Sequence, residues 1–92
     1  MPLSLDEYRS KLVSKVLLAG SEEDVKRFCD TAMKSLEEYK VNAHIIIRFV
    51  DKAIDDFEHF NPRTKNVKQW INIQTARIHF IEIKQRICAS AC

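Results

Sequence analysis

The side chains best placed to do chemistry are Asp51, Asp55 and His59, which follow one another in four-residue steps with Glu58 alongside. On a helix this spacing puts all three on one face, and carboxylates with an imidazole are donors that a transition metal accepts. Bundles that hold two irons use Glu-x-x-His pairs converging from several helices. Here the nearest such pair, His79-x-x-Glu82, runs in the reverse order on a strip expected to face water. The plainer expectation is a solvated acidic face, ending in a histidine that suits the negative end of a helix, with no bound metal or cofactor. Cys88 and Cys92, also four residues apart, read as ordinary thiols near the end of the chain. His44 reads as a surface or capping residue.

Other reactive constellations are missing. The sequence has no phosphate-binding glycine loop, no nucleophile elbow, no HExxH and no paired-cysteine motif, and a single glycine cannot build a nucleotide cradle. An enzyme is therefore not expected. Arg63, Lys65, Lys68, Arg77, Lys84 and Arg86 crowd the last third of the chain, but on a helix Arg77 and Lys84 project away from the others and split any phosphate footprint. The second helix opens with Glu22, Glu23 and Asp24, which phosphates would repel. Nucleic acid is not the expected partner.

Any such groups must be positioned by helices. One glycine and two prolines in 92 residues leave little turn punctuation, and 46% hydrophobic residues suffice for a core. The expectation is a single helical domain spanning 1–92, with a core thin enough that a second subunit or a partner contributes to stability. The longest unbroken apolar run, Val16 to Ala19, is far too short to cross a bilayer, so no membrane span is expected. An acidic start without an apolar leader and an odd number of cysteines, three, suit a reducing cytoplasm. Residues 1–60 hold nine Lys/Arg against twelve Asp/Glu, while 61–92 hold six against one, so −3 and +5 make up the net +2. That asymmetry predicts that the last helix settles on the acidic remainder of its own fold or of a twin subunit.

Ser4 with Glu7 forms a capping box for the first helix, with Leu3 able to staple onto Tyr8, and Gly20 ends it as a left-handed residue. Ser21 caps the second helix, whose acidic first turn suits the helix dipole. The Lys40-Val41-Asn42 boundary leaves two architectures open. Asn42 can cap a third helix, giving an antiparallel up-down four-helix bundle. Yet Val25, Cys29, Ala32, Leu36, Tyr39, Ala43, Ile46, Val50, Ala53, Phe57 and Phe60 keep an unbroken four-three rhythm, giving three helices with one long central helix over about 22–60. A helix of that length is rare, which favours the four-helix form. Asn61-Pro62 stops the chain before a last helix from about 64–66 to Cys88.

That last helix has two apolar faces. Val67, Trp70, Ile71, Ile78, Ile81 and Cys88 share one side, interrupted by Gln74 and Gln85, while Ile73, Ala76, Phe80, Ile83 and Ile87 line nearly the opposite side. Lys65, Lys68, Asn72, Thr75, His79, Glu82 and Arg86 form a polar strip between them. Its C-terminal end is expected to overhang the start of the third helix. Ile73, Phe80, Ile83 and Ile87 are the expected interface residues of a self-associating protein. The functional expectation is a small cytoplasmic helical interaction module, a homodimeric adaptor or regulator without catalytic activity. A bundle that binds a metal or a small ligand, the metal through Asp51, Asp55 and His59, is the alternative, and nucleic-acid binding stands behind both.

Overall fold

The structure, a computed structural model, describes residues 4–91 and consists of four α-helices there: α1 (Leu5–Leu18), α2 (Glu22–Glu38), α3 (Ala43–Glu58) and α4 (Val67–Ala91). Each start is made by a side chain that satisfies a free backbone N–H. Ser4 Oγ accepts from the Glu7 N–H at 3.1 Å, Ser21 Oγ from Asp24 at 3.2 Å and Asn42 Oδ1 from His44 at 2.8 Å. Asn61 Oδ1 accepts from Arg63 at 2.9 Å and opens a short 3-10 turn over Pro62–Thr64. At α4, Asn66 and Gln69 cap each other: Asn66 Oδ1 accepts from the Gln69 N–H at 2.8 Å and Gln69 Oε1 from the Asn66 N–H at 3.3 Å. This reciprocal box fixes the start of α4 at Val67. Leu3, the expected staple partner of Tyr8, lies outside the described residues.

The long central helix is not formed, because α2 ends in a Schellman turn. The Val41 N–H reaches the Leu36 carbonyl at 3.1 Å and the Lys40 N–H reaches Glu37 at 2.9 Å. Lys40 takes the left-handed conformation this requires, at φ 55°. Val41 packs back on the core that holds Leu36, the apolar contact that accompanies such a turn. Gly20 departs from expectation: its φ is not positive, and α1 ends instead at extended Ala19. The left-handed residue thus sits at a lysine, one turn later in the architecture than the glycine suggested.

α4 lies in the middle of the packing. It makes its most extensive contact with α3, then with α2 and α1, whereas α2 and α3 hardly meet although they are consecutive. Phe57 of α3 stacks on Phe80 of α4 with ring centroids 6.2 Å apart, at the centre of a core that includes Leu36, Val50, Ile73 and Ala76. Tyr8 tilts onto Phe49 at 6.0 Å, tying α1 to α3.

Ion pairs set the register. Glu58 faces Arg77 at 3.9 Å, and seven residues back along α3 Asp51 meets Lys84 at 2.6 Å, seven residues on along α4. The two helices are therefore antiparallel, and Arg77 lies level with the end of α3. It is the N-terminal part of α4, 67–76, that extends past α3, not its C-terminal end as the helix lengths suggested. The Pro62–Thr64 turn carries the chain outward before α4 begins, which moves the overhang to that side.

Candidate functional site

The metal candidates are not brought together. His59 Nδ1 sits 2.7 Å from the Asp55 backbone oxygen and 3.4 Å from its carboxylate, while Asp51 is held by Lys84 on another helix. Among the described residues no group of three His, Cys, Asp or Glu side chains could hold a metal ion. Successive four-residue steps put side chains on one face but leave them about 6 Å apart along the axis, so convergence needs a second helix, and here that helix brings lysine. The hydrogen bond to the Asp55 backbone, followed by the Asp55 charge, raises the His59 pKa above its ordinary 6.5.

Acidic side chains of α3 are largely taken up by the basic residues of its neighbours. Besides the Asp51–Lys84 and Glu58–Arg77 pairs, Asp56 accepts from Arg9 Nε at 2.7 Å. The charge asymmetry of the sequence is thus partly neutralised inside the fold. Lys65 adds a cation above the Phe60 ring, 5.1 Å from its centroid.

The polar strip of α4 is also drawn inward. Asn72 is buried and donates from Nδ2 to the Ala19 carbonyl at 3.0 Å, and His79 Nε2 lies 2.8 Å from Asp30 Oδ1 on α2. Both were expected on a wet flank. Asn72 completes the end of α1, where Ala19 leaves helical geometry. Cys29 is fully buried, and desolvation, with a smaller effect of Asp30, pushes its thiol pKa up to about 12, which removes it as a nucleophile at neutral pH. Of the two thiols near the end of the chain, Cys88 is free and half-buried, and Cys92 lies outside the described residues.

The two apolar faces of α4 exchange their expected roles. Ile73 and Phe80 are sealed in the chain's own core, Ile83 is buried and Ile87 half-buried, so they are no free face of a folded protomer. Outside, in their place, are Val67 (77% exposed), Ile71 (43%) and Ile78 (50%), with Trp70 and Ile81 half-buried beside them. Gln74 and Gln85, which interrupt this side, were the sequence signal that it faces solvent.

Ile83 and Ile87 do reach a surface of another kind. Because α2 and α3 diverge, a groove of about 630 Å³ opens beside the C-terminal half of α4. Met33, Val41, Ile46, Ile83 and Ile87 provide its apolar walls, and Asp30, Lys34, Glu37 and Arg86 are its charged lining, two acids against two bases. Its size is that of a ligand or side-chain docking site, commonly about 300–1,000 Å³. Sequence periodicity marked Ile46 only as a residue of the apolar seam, since nothing local reports that two consecutive helices fail to pack.

No protein-family model matches the chain, and no curated protein or solved structure matches it.

Proposed function

We propose that this chain is a small helical interaction module, an adaptor or regulator of the cytoplasm, which works by associating with a second copy of itself and performs no chemistry of its own. The observation that carries the reading is the outer face of α4. Val67, Ile71 and Ile78 stay exposed along one line although the same helix has already supplied a complete inner face to the core. Scattered exposed aliphatics are ordinary, but an aligned set on a helix marks an interaction surface. The capture of the metal candidates in ion pairs and the inert Cys29 thiol support the absence of catalysis, and the free Cys29 and Cys88 thiols suit a reducing compartment. Light scattering on a size-exclusion column across a dilution series tests the reading. The expected outcome is a concentration-dependent dimer or larger assembly that Ile78→Glu reduces to the monomer; a wild-type protein that remains monomeric throughout would refute it.

A further inference from the structure

We infer that the turn between α2 and α3 is a hinge, which straightens when the chain folds at high concentration so that two copies exchange their α1–α2 halves. The exchange uses neither the outer face of α4 nor the groove, so it goes beyond the association proposed above and does not depend on it. The first argument is the hinge itself. Residues 39–42 contain no glycine or proline, and the chain reverses there through Lys40 at φ 55°, a left-handed conformation unfavourable to any residue with a Cβ. The apolar stripe nevertheless runs through the turn in phase, from Leu36 by way of Tyr39 and Ala43 to Ile46. Tyr39, 58% exposed, and Ala43 are the two members of that stripe which the turn leaves outside. Continuing α2 into α3 removes the left-handed residue and returns both to the seam. What is given up is the Val41 contact with the core and the Asn42 cap.

The second argument is what straightening keeps. α2 and α3 hardly meet, so drawing them apart breaks little between them. The two halves of the chain are joined instead by α2 on α4, α1 on α4 and α1 on α3. Contacts of that kind include Arg9 Nε to Asp56 at 2.7 Å, Asn72 to the Ala19 carbonyl at 3.0 Å and His79 to Asp30 at 2.8 Å. All of them form equally well between two copies. Exchange therefore retains the packing of the protomer while it relieves the turn, and short strained hinges favour it. The halves must part before they exchange, so the open form arises during folding, when a second copy is at hand.

Charge reversal tests the exchange. Arg9→Asp and Asp56→Arg are each placed in a chain that also carries Ile78→Glu, which takes the outer face of α4 out of play. Alone, each sets like charges against one another between α1 and α3. In a swapped heterodimer the two replaced residues meet at one junction and Arg9 meets Asp56 at the other, so both junctions carry opposite charges. The two chains are unfolded together in urea and refolded at high concentration with thiols kept reduced. The expected product is a 1:1 heterodimer by native mass spectrometry, enriched at least about fivefold over either homodimer, because like charges at an interface are strongly disfavoured. Should either variant fail to fold alone, recovery of its helicity in the mixture reports the same exchange. A mixture that stays monomeric or unfolded, or that forms homodimers as readily as the heterodimer, overturns it. Lys40→Gly in the Ile78→Glu chain, refolded in the same way, is expected to give at least about fivefold less dimer, since glycine accepts the turn and weakens a continuous helix. An unchanged dimer fraction overturns the hinge. Neither outcome bears on the outer face of α4, which the dilution series of the folded wild type decides.

Discussion

The inner and outer faces of α4 are made from nearly the same residue types, yet one is the centre of the molecule and the other faces water. Ile73, Ala76, Phe80 and Ile83 run without a polar interruption, and Ala76 lets the neighbouring helices approach closely. Val67, Ile71 and Ile78 are interrupted by Gln74 and Gln85, and the first two lie on the part of α4 that α3 does not reach. Apolar content thus made both faces sticky, while the continuity of the stripe and the reach of the neighbours separated core from surface.

Substitutions on the two faces should separate them further. Phe80→Ala, which empties the stack against Phe57, is expected to lower unfolding stability by about 3–5 kcal/mol in urea denaturation. A glutamate at the same position would bury an unpaired charge and abolish the fold rather than merely dissociate an assembly. Asn72→Ala leaves the Ala19 carbonyl without its donor and is expected to cost about 1–3 kcal/mol by the same measurement. That result would show that the polar strip between the faces belongs to the interior.

The two turns around α2 offer the next contrast. Lys40→Gly relieves a left-handed side chain and is expected to stabilise by about 0.5–1 kcal/mol. Gly20→Ala should cause no loss, since Gly20 has no positive φ and a new Cβ would meet only Asp24 Oδ2, at 3.5 Å. Thermal melts of both variants decide whether the fold needs its special backbone residue at 40 rather than at 20. On the outer face, Ile78→Glu is expected to change stability by no more than about 0.5 kcal/mol while altering the solution mass. A large loss of stability there would place Ile78 in the core and erase the distinction between faces.

The smallest effect concerns His59, at the solvated end of α3. Its folded pKa is raised by the hydrogen bond to the Asp55 backbone, so its contribution is fully present below the unfolded value of 6.5 and is lost as pH rises through the raised folded value. The difference in melting temperature between wild type and His59→Asn should therefore be larger at pH 5.5 than at pH 8.5. A difference of the opposite sign would mean that neutral imidazole is the favoured form in the fold.

Helix starts were the most legible part of the structure, because a cap acts on N–H groups two or three residues away and its partners are adjacent in sequence. Ser4, Ser21 and Asn42 all perform the capping the sequence implies. The Asn66–Gln69 box was equally local, and an Asn-x-x-Gln pattern before an apolar run would have located it. The Lys40 turn was hidden, since lysine carries no preference for left-handed backbone. The turn is stabilised by Val41 returning to the core, a contact that depends on the fold around it.

By itself, the sequence determined an all-helical chain, its apolar stripes, the caps that start its helices and the absence of the common catalytic motifs. Those features follow from residue type and from separations of three or four positions, distances a helix fixes without help. The tertiary structure alone decided which face of α4 is inside, that Asn72 and His79 turn inward, that Asp51 meets Lys84, and that α2 and α3 part to open a groove. Each of those outcomes depends on which helices lie beside α4 and at what register, and burial is settled by that competition among neighbours rather than by the pattern within one helix.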